Sequence, residues 1–261
     1  MIGYVGVPGA LVELPYRGGL STSTDRPVKF TRTLGGKRKA QLGPAGRREW
    51  DVSFDLIGSR DALGLIHVAQ FGGPVLWYPA DAVAGNMLSP QASGFNVPPT
   101  NATDAGLVQL PDGTVARSVI HSGSGGVNIG GAPSGFEGVP VRAGVPVTVS
   151  AWGLGGLRLT GAWRSVTGAN LGGFGQAAEA FTGWQFRSFT ATPPAGAVAA
   201  QLILNAGTQY ARPSISWGPS AVDRPGRGCA KAVVHGLSEA LTVINADDAY
   251  GSIDVTITEV G

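Results

Sequence analysis

The sequence predicts a mainly β protein of two lobes: a β-sandwich base domain with one short helix, interrupted by an inserted β-sandwich of jelly-roll type. Three observations carry this. The 261 residues include 42 Gly and 18 Pro, and 43% are hydrophobic while 14% are charged, a mix too apolar for a disordered chain and too rich in turns for a helical one. Apolar and polar residues alternate along many short segments, the period of a strand with one buried face. Composition also shifts twice. Residues 1–85 carry 10 basic and 7 acidic groups, 86–219 carry 6 and 4 with no lysine, and 220–261 carry 3 and 6.

In chain order, the first strong element is the strand Trp50–Leu56, where Trp50, Val52, Phe54 and Leu56 share one face and alternate with Asp51, Ser53 and Asp55. Ser59 is placed to cap a helix with Asp61 in its first turn. Leu63, Ile66, Ala69 and Gln70 recur at helical spacing until Gly72, Gly73 and Pro74 stop it. Pro74–Pro79 reads as a strand entered and left through prolines. From Asn86 the texture changes to short strands between glycine turns: Pro146–Trp152, Leu157–Trp163, Trp184–Ala191, Ala199–Leu204 and Ser214–Trp217. About 130 residues with strands at this spacing point to a two-sheet sandwich. The last block offers Ala230–His235, Ala240–Asn245 and Ser252–Val260, the final pair joined around Asp247 and Asp248. Three strands cannot bury a core alone. The expectation is therefore one discontinuous base domain from residues 1–85 and 220–261, with 86–219 inserted through a loop whose ends lie close together, the alternative being three consecutive modules.

The run LGGKRKAQLGPAGRREWDVSFDL, the helix ending in FGGPVLWYPADA, and GNMLSPQAS resemble, in that order, minor tail proteins of long-tailed phages of actinobacteria. These are similar to distal tail proteins, whose base domain has the tail-tube fold. GRGCAKAVVHGLSEALTVINADDAYGSIDVTITEVG is similar to the end of the same proteins. The insert resembles galactose-binding-type carbohydrate-binding jelly rolls, from NMLSPQASGF through VRAGVPVTVSAWGLGG and TGWQFRSFTATPPAGAVAAQLIL to YARPSISWG. The calcium-site acids common in such modules have no obvious counterpart, because Asp104, Asp112, Glu137 and Glu179 are the only carboxylates between 86 and 219. No cofactor is expected.

Catalytic patterns are scarce. Asp104 and Asp112 flank LVQLP and read as turn residues rather than a glycosidase pair. HSGSGG at 121–126 and GAPSGFEG at 131–138 do not make a nucleophile elbow and read as flexible turns. GLGGLR at 153–158 lacks the third glycine and the helix of a dinucleotide turn. His67, His121 and His235 are far apart and form no ligand pair. Cys229 is the only cysteine, so an intrachain disulfide is excluded, and it reads as a buried small apolar residue. No enzyme is expected; a polysaccharide depolymerase or esterase with an unrecognised site is the rival.

Two sets of residues are candidates for binding. Along PVTVSAW, Val147, Val149 and Ala151 face one way while Thr148, Ser150 and Trp152 face the other, so Trp152 is either covered by a loop or offered to a ligand. Sugars stack their C–H faces on indoles, which makes Trp152, Trp163 and Arg158 glycan candidates; packing is the alternative for each tryptophan. Trp184 and Phe186 share a strand face and read as core. Between Lys29 and Arg48 there are seven Lys or Arg residues and no carboxylate. Such a loop is either a solvated hairpin tip or, because it repels itself unless an acidic surface meets it, a contact: Lys37, Arg38, Lys39, Arg47 and Arg48 are candidates for contact with a neighbouring subunit through its Asp51, Asp55 or acidic C-terminal block.

The resemblance implies a non-enzymatic protein of the virion tail, assembled in the host cytoplasm. Its partners would be itself, in a ring of three or six copies, together with tail-tube and hub proteins and host-surface carbohydrate. A tube or collar protein without glycan binding is a further alternative. The net charge of +2 and pI near 8.8 do not suggest nucleic-acid binding. The N-terminus has no signal-peptide pattern, and no run reaches the roughly 18 apolar residues of a membrane span.

Overall fold

The structure is a computed structural model. It describes residues 2–15, 20–25, 28–32, 37–42, 47–99, 101–122, 125–129, 138–244 and 249–260; the side chains of 25, 28, 41, 42, 56, 239–244, 249 and 250 are not described. Glu137, the GAPSGFE run and the Asp247–Asp248 loop lie outside the described residues.

The protein is mainly β. Its first elements are strands β1 (Ile2–Val7), β2 (Ala10–Pro15), β3 (Leu20–Asp25), β4 (Val28–Arg32), β5 (Arg38–Leu42) and β6 (Arg47–Gly58). Helix α1 (Ser59–Gln70), strand β7 (Val75–Tyr78) and the short helices α2 (Ala80–Ala84) and α3 (Pro90–Ser93) follow. The chain continues through β8 (Ala102–Gln109), β9 (Val115–His121), β10 (Val127–Ile129), β11 (Val139–Pro140), β12 (Val147–Arg164), β13 (Asn170–Gly175) and β14 (Glu179–Ala191). It closes with β15 (Ala199–Asn205), β16 (Gln209–Trp217), β17 (Cys229–Ile244) and β18 (Ala249–Glu259). Two compact units result: residues 1–5, 12–77 and 231–261 form the first, and 6–11 with 78–230 the second.

The first unit is built on a seven-stranded sheet in the order β2-β1-β7-β17-β18-β6-β3. Val52 pairs with Val255, Trp50 with Ile257 and Phe54 with Ile253, so the alternation in both strands puts these six apolar groups on one face. A register shift between Gly251 and Ile253 then brings Ile57 to that face, where it is buried. Trp50 and Trp77 meet edge to face at 6.4 Å and 71°, the arrangement ring quadrupoles favour. Arg48 lies over Trp50 at 4.9 Å and grips Glu259 with two hydrogen bonds of 2.9 and 3.0 Å. Strands β4 and β5 stand apart as a two-stranded ribbon.

Helix α1 departs from the spacing argument in two ways. Ser59 is its first residue and Gly58 the cap, without a side-chain cap bond. The buried stripe is Ala62 and Leu65, with Leu63 54% exposed. Gly64 faces Val12, whose methyls would lie 3.0 and 3.2 Å from a Cβ placed there. Gly72, at φ +69°, ends the turn that follows. Two pairs of expected strands are single long ones: β12 joins Pro146–Trp152 to Leu157–Trp163, and β17 joins Ala230–His235 to the strand expected from Ala240, as far as Ile244; Asn245 lies outside the described residues. Glycine explains both. Leu154 and Gly156 bracket a register shift with Gly155 at φ +75°, and Gly236 at φ +63° sits in the shift between His235 and Ser238, so bulges bend strands that would otherwise end.

In the second unit, β12 belongs to two sheets. Its first half pairs with β14 on one side and β16 on the other, and β16 leads on to β9 and β8. Its second half pairs with β13 and β15, and β15 with β10 and β11. Val119, Val149, Ala151, Leu157, Leu159, Leu202, Leu204, Tyr210 and Ile215 are all buried, as expected where two sheets face each other in a jelly roll. The segments where the chain enters and leaves these sheets are tied together. The backbone N–H groups of Arg227 and Gly228 donate to the carbonyls of Asn86 and Leu88 at 3.0 and 3.1 Å, and that of Gly226 to Ser93 Oγ at 2.7 Å.

Candidate functional site

The outer face of the β14-β12-β16-β9 sheet changes character along its length. Thr148 stands opposite Thr190 and Ser216, Ser150 opposite Ser188 and Ser214, Trp152 opposite Phe186 and Ala211, and Leu154 opposite Trp184 and Gln209. Gln209 is in turn opposite Ile120. The small polar end is covered: Thr148, Ser150, Ser214 and Ser216 are buried, and Thr148 Oγ1 donates to the Gly218 carbonyl at 2.6 Å. The aromatic end is only partly exposed: Trp184 and Phe186, with Val108, pack against a buried cluster of Leu110, Ala116, Trp152 and Ala211. Leu154, Trp184, Phe186 and Gln209 are half-buried, and Ile120 is 46% exposed. Trp184 and Phe186 reach solvent because β14 is an edge strand, paired in this sheet with β12 alone.

Charged groups frame this face beside Trp152. Ser150 opposes Ser214 and Trp152 opposes Ala211, which leaves Arg212 and Pro213 together against Ala151 as a bulge, with Arg212 at φ +48°. The bulge aims Arg212 at two carboxylates. Its Nη1 donates to Asp112 Oδ2 at 3.1 Å and to Thr114 Oγ1 at 2.6 Å. Its Nε lies 2.9 Å from Asp223 Oδ1, an ion pair without hydrogen-bond alignment. The other Asp223 oxygen accepts the Trp152 indole N–H at 2.8 Å. Burial pushes the Asp223 carboxyl above its ordinary value, against the pull of Trp152 and Arg212. The Thr114 hydroxyl and backbone N–H, aided by Arg212, hold Asp112 below its own.

The structure separates the residues expected to bind glycan. Trp152 is 8% exposed, its N–H engaged and its ring against Phe186 at 5.6 Å. Trp163 is 4% exposed and stacks on Phe174 at 4.3 Å and 34°. Neither indole offers an open face; the packing alternative describes both, Trp152 lying among Leu110, Ala116 and Ala211 with its N–H bonded to Asp223. Arg158 is exposed, with Nε donating to the Gln176 carbonyl at 3.3 Å, and it lies on the second half of β12, away from Trp152. Trp184 and Phe186 share a face and pack against the Leu110, Ala116, Trp152 and Ala211 cluster, in line with the core reading, while each keeps part of its ring exposed. The WQF alternation located them; edge position, which frees them, has no local signature.

In the basic loop, Lys37, Arg38, Lys39 and Arg47 are exposed. Arg48 is not available as a contact: its side chain is 12% exposed and committed to Glu259 and Trp50. Cys229 is buried. Asp112 holds a turn, accepting the Thr114 N–H at 2.9 Å, and Asp104 accepts the Gly106 N–H at 3.0 Å. Among the described residues no cluster of His, Cys, Asp and Glu could hold a metal ion, and no helix is long and apolar enough to cross a membrane.

A comparison with protein-family models finds no match, and neither does a comparison with curated proteins. Among solved structures the chain is similar to the enzymatically active domain of bacteriophage CBA120 tailspike protein 4, with 11% identity and a TM-score of 0.36 over 51% of this chain and 21% of that one. It is also similar to the CBM22-1 xylan-binding domain of Paenibacillus barcinonensis Xyn10C, with 16% identity and a TM-score of 0.31 over 53% of this chain and 99% of that one. A third is the CBM6 module of Cellvibrio mixtus lichenase 5A, with 15% identity and a TM-score of 0.28 over 48% of this chain and 95% of that one. At these scores the alignments carry no argument about function.

Proposed function

We propose that the chain is a non-enzymatic protein of a phage tail tip, assembling through its first unit and touching host-surface carbohydrate through the second. The carrying observation is the partly exposed aromatic cluster on the β14-β12-β16-β9 face, where Trp184 and Phe186 rest on Trp152, Leu110, Ala116 and Ala211 and keep part of their rings in contact with solvent. Trp184 and Phe186 offer ring surface for sugar C–H groups, and Gln209 beside them supplies an amide for a hydroxyl. The nearby cation, Arg212, is already committed to two carboxylates, which favours a neutral glycan. The tail setting rests on the resemblance of LGGKRKAQLGPAGRREWDVSFDL and the closing stretch to minor tail proteins. Single sites of about millimolar affinity suffice, because linked copies gain roughly 10²–10⁴ in avidity.

The test is binding of the multimerised chain to a panel of bacterial surface polysaccharides, with Trp184→Ala alongside. Retention that Trp184→Ala lowers at least tenfold is the expected result, and silence of the multimerised wild type across the panel overturns the glycan half. Native mass tests the assembly half. The hydrolytic rival has one observation in its favour, the opposite displacement of Asp112 and Asp223, a pattern that can mark an acid and a base. Release of reducing sugar or acyl groups from cell walls, abolished by Asp223→Asn, would establish it instead.

A further inference from the structure

The first unit carries two exposed surfaces of opposite charge. One is the β4–β5 ribbon. Phe30 pairs with Ala40, Thr31 with Lys39 and Arg32 with Arg38, so Phe30, Arg32 and Arg38 share one face. Phe30 is 67% exposed, and an open cleft of about 380 Å³ runs along Phe30, Thr31, Arg32 and Arg38. A lone two-stranded hairpin is marginal in water, and like charges directly opposite weaken it further. Among the described residues no carboxylate pairs with Lys29, Arg32, Arg38 or Lys39. The ribbon is a structure in want of a counter-surface.

The other surface is the outer face of β6, β18 and β17. Glu49, Asp51 and Asp254 are exposed on it. Threonine hydroxyls hold two of the carboxylates in place: Thr258 donates to Glu49 Oε2 at 3.2 Å and Thr256 to Asp51 Oδ1 at 3.0 Å. Among the described residues no cation is paired with Glu49, Asp51 or Asp254; Arg47 and Lys231 follow at the Glu49 end by strand alternation. Beside this row Val233 is 37% exposed, an apolar spot in an otherwise polar face.

We infer that the ribbon of one copy docks on the Glu49–Asp51–Asp254 face of a second copy, with Phe30 resting on Val233 and Arg32 and Arg38 reaching Glu49 and Asp51. Donor and acceptor surfaces differ, so the contact is head to tail and repeats from copy to copy, closing into a ring or continuing as a filament. Guanidinium forks suit carboxylates already oriented by a hydroxyl. The inference rests on the assembly half of the proposed function and names its two surfaces.

Sedimentation of the full chain tests it, using wild type, Arg32→Ala/Arg38→Ala, Glu49→Ala/Asp51→Ala, and an equimolar mixture of the two variants. Circular dichroism controls for folding: the carboxylate variant gives up two exposed threonine hydrogen bonds, and the arginine variant removes a cross-strand repulsion. In about 0.1 M salt the wild type should form concentration-dependent oligomers that weaken in about 1 M, where the screening length falls from roughly 10 to roughly 3 Å. Each variant alone should associate at least tenfold more weakly. The mixture should recover association but stop at two subunits, because only one intact ribbon and one intact face remain to meet. Variants that assemble like wild type, or a mixture that recovers nothing, overturn this interface while leaving the assembly half standing. A wild type that stays monomeric overturns both, and if it is then retained on an anionic polymer through Arg32 and Arg38, the ribbon belongs to that ligand.

Discussion

The side-chain amide of Asn86 donates to the backbone carbonyl of Arg224 at 2.9 Å, joining residues 138 positions apart. The same amide nitrogen donates to the Pro213 carbonyl at 3.0 Å, and the amide oxygen accepts from the N–H groups of Leu88 at 3.0 Å and Ile215 at 3.3 Å. Asn86 is 1% exposed, so one side chain satisfies four backbone groups where water does not reach. Asn is the residue for this task because a single planar amide carries two donors and an acceptor with two lone pairs.

Replacing Asn86 with Ala should therefore cost about 2–4 kcal/mol, since several buried groups lose their partners at once. Asn86→Asp should do no better, because it sets a carboxylate against two carbonyl oxygens. Urea unfolding followed by the tryptophans would measure this, and a change below about 0.5 kcal/mol would contradict the account.

Glycine at 228 is required by space. A Cβ there would overlap the Met87 carbonyl oxygen and lie 2.7 Å from the Tyr78 ring, so Gly228→Ala should destabilise by at least about 2 kcal/mol. Gly113 provides the contrast. It sits at φ +81° with nothing within 4 Å of a Cβ, and Gly113→Ala should cost only about 1 kcal/mol, from backbone conformation alone. Thermal shifts of the two variants should fall in that order.

Arg48 joins Glu259 through two hydrogen bonds while lying over Trp50. Arg48→Ala should lower the stability of the first unit by about 1–3 kcal/mol, and Arg48→Lys should recover little, because an ammonium lacks the planar fork. Full recovery by lysine in chemical denaturation would show that charge alone matters.

Asp223 and Asp112 should give opposite pH dependences. The Asp223 carboxyl is raised above 3.8, chiefly by burial, so its favourable protonated state is fully present below that value and is lost as pH rises through the folded-state value. Asp112 is lowered below 3.8, so its contribution is present above that value and lost as pH falls through the folded-state value. Asp223→Asn, which cannot ionise, should gain on wild type as pH rises from about 4 to about 7. Unfolding midpoints of the two proteins running parallel across this range would refute the assignment.

Local sequence determined the elements whose signal is periodic. Trp50, Val52 and Phe54, and Ile253, Val255 and Ile257, are inward because alternation in a strand leaves no other way to bury them together. Gly72 to Pro74 end the helix because neither residue type continues one. Tertiary structure decided what alternation cannot express. Trp152 and Trp184 lie on the same face of one sheet and pack in one cluster, yet Trp152 is buried with its N–H bonded to Asp223, 71 residues away in the chain, while Trp184 stays partly exposed on an edge strand. Strand order, bulges such as that at Arg212, and partners brought from distant segments are properties of the assembled sheet. A short stretch of sequence reports which side a residue is on, and the fold alone reports whether anything covers that side.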